Sequence, residues 1–188
     1  IYRGTSAFSE PETEAISDFI LARQFKNVLH YHSYSNVLIH SWGDGTLPDE
    51  PDLSTLREIG AEMTRANGYA VGTGMETIGY GVNGDAVDWT YGSAGLLSYT
   101  PEVGSYADNF WPSEDRVVPL CQDQVHSNKV FALVAGSDYI VFDRLLDNQS
   151  PELEDIVAIS LVIQNRGLTD SDGSVSISIN PLNDISLI

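Results

Sequence analysis

The sequence predicts an α/β domain over residues 1–136, followed by a separate β region over residues 137–188. In the first part, amphipathic helical patterns alternate with short apolar runs, which is the order of elements expected of an α/β fold. In the second part, polar and apolar residues alternate with a period of two between turn-rich segments, which is typical of strands. Apolar residues make up 42% of the chain, so a buried core can form.

The charge balance argues against two classes of partner. The chain has 188 residues, with 9 basic and 27 acidic side chains and a formal net charge of −18. Such an excess of acid disfavours binding to nucleic acid or to an anionic membrane surface. No apolar run approaches the ~18 residues that would span a bilayer. Cys121 is the only cysteine, so no intrachain disulfide can form.

Amphipathic patterns predict three main helices and one short helix. The main helices cover residues 11–24, 52–63 and 112–135, and the short helix covers residues 85–91. Ser9 is the expected N-cap of the first helix, and Pro11 suits its first turn. Gly68 can adopt the left-handed conformation that ends the second helix. Helices therefore bracket each of the apolar runs that we interpret as strands.

The strand-like runs are short and are followed by polar residues. They cover residues 25–31, 36–41 and 96–100, the last ending at Pro101-Glu102. Residues 68–86 contain six glycines, which is too many for regular structure. We therefore predict a long loop there, and long loops inside compact domains are usually functional.

The β region is predicted to contain three strands. They cover residues 138–145, 155–164 and 174–179. Three strands are too few to close a sandwich. The segment Gln164-Asn165-Arg166-Gly167-Leu168 is similar to a strand-to-turn segment of immunoglobulin-like accessory domains. We therefore expect part of an immunoglobulin-like β-sandwich, with its remaining strands missing or supplied elsewhere.

A polar patch between the first two apolar runs is the most informative stretch. It contains His30, His32 and His40, together with Ser33 and Tyr34. Buried imidazoles and hydroxyls need hydrogen-bond partners, and polar groups at strand ends are where α/β folds usually keep their chemistry. Each histidine taken alone is more simply explained as a structural residue. The patch therefore indicates a functional site only if other parts of the chain supply residues that act together with these histidines.

Several short motifs occur in an order that is similar to one family. They are Phe8-Ser9-Glu10-Pro11-Glu12, His32-Ser33-Tyr34, Tyr80, Asp88-Trp89-Thr90-Tyr91-Gly92 and Glu102. Each motif is weak alone, but the combination and its spacing are specific. Over about residues 2–130 the sequence resembles the second half of the catalytic domain of zinc carboxypeptidases of the carboxypeptidase A type. The resemblance implies a mixed-sheet α/β fold and a zinc cofactor.

The resemblance also implies roles for individual residues. His32 matches a zinc ligand, and Glu102 matches the general base that activates the zinc-bound water. Tyr80 matches a mobile tyrosine that closes over the substrate, with neighbouring glycines that allow its loop to move.

The remaining matches concern substrate binding. Ser33 and Tyr34 match positions that shape the substrate groove. Val87 matches the position that lines the pocket for the C-terminal side chain, where an apolar residue suits an apolar or aromatic substrate. A structural role is the simpler explanation for each of these residues alone, and the joint spacing favours the functional one.

The sequence departs from the family pattern in one important respect. The family's other two zinc ligands come from an upstream His-x-x-Glu motif, which this sequence lacks, and its substrate-binding arginines also lie upstream. We therefore expect this chain to be the C-terminal part of a metallocarboxypeptidase that acts on the C-terminus of peptides. The isolated chain is then expected to bind zinc weakly or not at all and to be inactive. The alternative is a non-catalytic, peptide- or surface-binding relative. The resemblance also suggests a secreted or periplasmic bacterial protein.

Overall fold

The computed structural model describes residues 4–180 of the chain. The chain forms two compact units, residues 1–135 and residues 136–188. The first unit contains a four-stranded sheet with helices, and the second contains a two-stranded sheet. Among residues 4–180, none of the helices combines the length and the apolar character required of a membrane span.

The sheet of the first unit is mixed. Its strands are β1 (Asn27–Leu29), β2 (Val37–Ile39), β3 (Ala70–Gly72) and β4 (Leu97–Glu102), in the spatial order β1-β4-β2-β3. Strand β4 lies parallel to β1 and antiparallel to β2, while β2 and β3 are parallel. This confirms the α/β class with a mixed sheet. It also places β4 between the two strands that flank the polar patch.

Six helices belong to the described part of this unit. They are α1 (Pro11–Leu21), α2 (Asp52–Thr64), α3 (Gly74–Thr77), α4 (Ala86–Gly92), α5 (Glu114–Asp123) and α6 (Val125–Val134). The first helix begins after Glu10 rather than Ser9, and no side chain caps it. Ser9 instead donates its hydroxyl to the Glu10 carboxylate. The proline at the first helical position is as predicted, because its missing N–H is unneeded there.

Two sequence-based predictions about this unit are wrong in detail. The glycine-rich segment 68–86 is not one continuous loop, since it contains β3 and α3. A capping box starts α3: the Thr73 side chain accepts the Glu76 N–H, and the Glu76 carboxylate accepts the Thr73 N–H. The predicted helix over residues 112–135 is two helices that meet at Gln124. The Gln124 side chain is buried there and donates to the Tyr69 hydroxyl at 3.0 Å.

Part of the core lies between α2 and the sheet, and α6 packs against α2 as well. Leu56, Ile59 and Met63 of α2 are at most 1% exposed. Tyr99 of β4 is fully buried, and its hydroxyl donates to the Leu56 carbonyl, while burial raises the pKa of its phenol. Gly60 allows the close approach of α2 to β3, because an added Cβ would lie 2.6 Å from Val71 Cγ1. This packing fixes β4, and therefore the position of its last residue, Glu102.

The second unit contains a two-stranded antiparallel sheet of β5 (Tyr139–Leu146) and β6 (Ile159–Asn165). An ion pair links the two strands at one end of this sheet. The guanidinium of Arg166, which follows β6, lies 2.8 Å from the carboxylate of Asp138, which precedes β5. The strand predicted over residues 174–179 is not formed, and the segment has no regular structure. A two-stranded sheet is not itself a sandwich, so the immunoglobulin-like assignment stays a prediction.

Candidate active site

His32 and Glu102 are brought together by the backbone at the end of the sheet. The two residues form an isolated parallel β-bridge. His32 follows β1 along the chain, and Glu102 is the last residue of β4. The His32 N–H donates to the Pro101 carbonyl at 3.0 Å, and the Val103 N–H donates to the His32 carbonyl at 2.9 Å. These hydrogen bonds hold both Cα atoms in register. The pairing therefore follows from strand geometry, not from a chance side-chain contact.

The two side chains are in direct contact. His32 Nδ1 lies 3.1 Å from Glu102 Oε1 and 3.2 Å from Glu102 Oε2. The Glu102 side chain is only 11% exposed, whereas the His32 side chain is 64% exposed. A carboxylate held beside an accessible imidazole can orient its ring and can accept a proton from water or substrate. The pair thus has the chemistry expected of an acid–base or metal site.

The pair opens onto a cavity of about 510 Å³. This volume is within the range of about 300–1,000 Å³ that is usual for ligand sites. The cavity is lined by His32, Ser33, Tyr34, Ser35, Val37, Thr77, Ile78, Tyr80, Glu102, Tyr106 and Phe110. The structure therefore brings five of the sequence-predicted site residues to one cavity: His32, Ser33, Tyr34, Tyr80 and Glu102. Sequence reasoning missed Tyr106 and Phe110.

Tyr80 lies in a loop between α3 and α4 that has a glycine with positive φ on each side of it. The Tyr80 side chain is accessible, with the residue 59% exposed. Gly79 and Gly84 on either side have φ values of +82° and +74°, which L side chains rarely adopt. In the middle, the Val82 N–H donates to the Gly43 carbonyl at 2.7 Å. The Gly79 N–H also donates to the Gly74 carbonyl at 3.0 Å, so backbone hydrogen bonds lie on both sides of the exposed Tyr80.

Tyr34 packs against the two aromatic residues that the sequence did not predict. Its ring centroid lies 4.9 Å from that of Phe110 and 6.1 Å from that of Tyr106, both in edge-to-face arrangements. We call Tyr34, Tyr106 and Phe110 the aromatic wall. Tyr106 and Phe110 lie in an irregular segment after β4, with no periodic pattern to mark them. Only the fold brings them to the cavity.

An ion pair holds the segment that carries Tyr106 and Phe110. The Asp108 carboxylate accepts from Arg116 Nε at 2.6 Å, from the Ser105 N–H at 2.8 Å and from the Ser105 hydroxyl at 2.7 Å. The Arg116 guanidinium and these Ser105 donors hold the pKa of the Asp108 carboxyl well below its usual range. Asp108 is therefore ionised throughout the physiological pH range.

Val87 is not among the residues that line the cavity. It is 1% exposed in α4, and its carbonyl accepts the Ser98 hydroxyl at 3.0 Å. The neighbouring Asp88 carboxylate accepts the Gly43 N–H at 2.9 Å and 3.0 Å. The described contacts of Val87 are those of a core residue, and its predicted role in substrate binding stays a prediction.

Of the other two histidines of the polar patch, His40 is buried and His30 is partly buried. His30 Nε2 is 3.0 Å from the Thr90 hydroxyl, and His40 Nδ1 is 2.7 Å from the Ser41 carbonyl oxygen. Burial lowers the pKa of both imidazoles. His40 is fully buried, and its Nε2 atom has no hydrogen-bond partner in the described part of the chain. Their surroundings are structural, in contrast to the exposed ring of His32.

The residues at the cavity do not form a complete metal site. A catalytic zinc ion requires three protein ligands, and the imidazole of His32 is suited to be one of them. Across residues 4–180, no group of three or more His, Cys, Asp or Glu side chains is close enough to hold a metal ion. The cavity therefore offers one imidazole ligand, that of His32, with the Glu102 carboxylate beside it.

Comparison with known proteins agrees with the resemblance seen in the sequence. The family model described as zinc carboxypeptidase matches residues 1–127, which is more than half of the chain. The chain belongs to the zinc carboxypeptidase family. The match includes all of the site residues discussed above and ends within α6, so it lies entirely in the first unit.

Curated relatives and solved structures extend this assignment. Carboxypeptidase B of Astacus astacus is 34% identical over 150 residues, covering 74% of this chain and 48% of that protein. Carboxypeptidase A1 of Bos taurus is 30% identical over 131 residues, covering 65% of this chain and 30% of that protein. The crystal structure of carboxypeptidase A from Helicoverpa armigera has a TM-score of 0.63 at 28% identity, covering 71% of this chain and 36% of that chain. The chain thus spans less than half the length of these relatives.

The relatives overturn one expectation from the sequence. We expected a bacterial protein that is secreted or periplasmic, but the named relatives come from animals. They include proteins of Astacus astacus, Helicoverpa zea, Homo sapiens, Bos taurus and Simulium vittatum. The prediction failed because no residue in the chain carries information about its organism, and the resemblance alone suggested it.

Proposed function

We propose that this chain supplies part of the active site of a zinc-dependent metallocarboxypeptidase, which removes C-terminal residues from peptides. The observation that carries this proposal is the contact between His32 Nδ1 and the Glu102 carboxylate at the mouth of the cavity. Family membership supports the reaction class. The substrate is accordingly a peptide or protein C-terminus.

In this proposal His32 and Glu102 have different tasks. The accessible imidazole of His32 is one ligand of the zinc ion. The Glu102 carboxylate is the general base, because it is largely buried but faces the cavity, where it can take a proton from water. A complete zinc site needs two further protein ligands, which the described residues do not bring to the cavity.

The proposed substrate contacts come from the remaining predicted residues. Tyr80 closes over the substrate, and the glycines at each end of its loop support that movement. Ser33 and Tyr34 shape the groove, which agrees with their place in the cavity lining. Val87 is proposed to favour an apolar C-terminal residue, and the apolar side chains of Val37 and Ile78 in the cavity lining support that preference.

We further propose that the 188-residue chain alone binds zinc weakly or not at all and has no peptidase activity. The reason is that one imidazole cannot hold catalytic zinc. The test is equilibrium dialysis against zinc, followed by an assay for release of the C-terminal residue from an N-blocked dipeptide. Measurable zinc-dependent turnover by this chain would contradict the proposal. A His-x-x-Glu motif encoded upstream of Ile1 would favour the enzyme over a non-catalytic binding module.

A further inference from the structure

The segment after β4 carries two large aromatic rings that burial does not hold in place. Tyr106 is 85% exposed and Phe110 is 67% exposed, yet both line the cavity beside Glu102. Rings with so much exposed surface gain little from the hydrophobic effect. Some other interaction must therefore keep them against Tyr34.

Polar contacts centred on Asp108 are suited to this task. Asp108 lies between Tyr106 and Phe110 in sequence and is 6% exposed. Its carboxylate accepts both the N–H and the hydroxyl of Ser105, at 2.8 Å and 2.7 Å. Arg116 completes the set with two bonds, from Nε at 2.6 Å and from Nη2 at 3.3 Å. Two-point arginine–carboxylate pairs fix orientation as well as distance.

The position of Arg116 is not explained by the helix that carries it. Arg116 lies in the first turn of α5, which begins at Glu114. A cation is disfavoured at the positive end of the helix dipole, where Glu114 and Asp115 are favourable. An arginine at this position therefore costs the helix stability, and its benefit lies in the bonds it makes to Asp108.

We propose that Asp108 and Arg116 are positioning residues of the cavity, which hold the segment from Ser105 to Phe110 so that the aromatic wall faces Glu102. The wall then sets which peptide side chains can pack beside the reacting groups, because aromatic rings favour planar, apolar partners. This second step rests on the proposed peptidase function. The positioning role itself concerns only the geometry of the wall.

The test uses the whole 188-residue chain and nuclear Overhauser contacts between the rings of Tyr34 and Phe110. Arg116→Gln and Asp108→Asn should abolish these contacts, while Arg116→Lys should restore part of them because the charge is kept. Arg166→Gln is the matched control, since Arg166 makes a similar pair with Asp138 in the second unit. The amide resonances of β4 report whether each variant is folded. If Asp108→Asn does not fold, the ring contacts in Arg116→Gln decide whether the positioning role is correct.

A probe peptide separates this inference from the proposed function. N-acetyl-phenylalanyl-phenylalanine should perturb the resonances of the aromatic wall in the wild-type chain, with affinity about three- to tenfold weaker in Arg116→Gln. If the ring contacts persist in both charge-removing variants, the positioning role is wrong whatever the peptide does. If those contacts are lost as expected but the probe fails to bind the wild-type chain, the positioning role stands and the result counts against peptide binding.

Discussion

At the scale of single residues, the three histidines of the polar patch differ in exposure, and that difference separates their roles. His32 is exposed beside a carboxylate, whereas His30 is partly buried and His40 is fully buried. The sequence places all three within eleven residues and cannot rank them by burial. The resemblance to the carboxypeptidases singled out His32, and the structure shows the physical difference through its contact with Glu102.

The burial of His40 and the partial burial of His30 make stability depend on pH. Burial lowers the pKa of His30 and His40 below 6.5, so the unfolded chain binds protons at a higher pH than the folded chain does. Their contribution is therefore complete above about pH 6.5 and is lost as the pH falls below that value. We expect the urea midpoint to decrease between about pH 7 and pH 5.5, and to decrease less in His40→Gln. An equal decrease of the urea midpoint in this variant would contradict the assignment of His40 as a buried imidazole with a lowered pKa.

At the scale of elements, the sequence predicted those that have a regular apolar period. Helices α1, α2 and α4 and strands β1, β2 and β4 form where the pattern placed them, with differences at their ends. The sequence pattern failed to predict elements that depend on contacts between residues distant in the chain. Residues 70–72 form a strand because they pair with β2, and the helix break at Gln124 coincides with the bond from its side chain to Tyr69.

The site was predicted to a similar extent and for a similar reason. The resemblance identified His32, Tyr80 and Glu102 by their order and spacing, and the structure places these three at one cavity. Tyr106 and Phe110 were missed because an exposed aromatic residue in an irregular segment gives no signal of what it faces. The ion pair of Asp108 with Arg116 was equally hidden, since it joins an irregular segment to the first turn of α5 and no periodic pattern relates the two residues.

The packing of α2 against the sheet is what holds β4 and the site in place. Leu56 is 1% exposed and its carbonyl accepts the Tyr99 hydroxyl. We expect Leu56→Ala to lower the free energy of unfolding by about 2–5 kcal/mol, because it leaves a cavity beside β4. Denaturant titration measures the change. Leu133→Ala, at a side chain that is 61% exposed, is the control and should cost much less; equal losses would contradict the location of the core.

At the scale of the whole molecule, the excess of acid is the dominant electrostatic feature. A net charge of −18 on 188 residues favours solubility but repels itself in the compact state. The same charge disfavours nucleic acid and anionic membranes as partners. These conclusions need only the composition and hold for any fold of this chain.

Screening of this charge should stabilise the chain. We expect the thermal midpoint to rise as sodium chloride increases from about 0.05 M to about 0.5 M, since the Debye length falls below about 10 Å over that range. The rise should be smaller at about pH 5, where part of the carboxylates carry a proton and the repulsion is weaker. A midpoint that falls with salt at neutral pH would show that attractive ion pairs outweigh the repulsion.

The central claim is that Glu102, held beside His32 at the end of β4, is the general base of a metallocarboxypeptidase. The most direct test is kcat/KM for release of a C-terminal residue by the protein expressed from its complete coding sequence, compared with its Glu102→Gln variant. We predict that bound zinc is unchanged and that kcat/KM falls by about 10²–10⁴, which is the usual contribution of a general base. Full activity in the Glu102→Gln variant would contradict the claim.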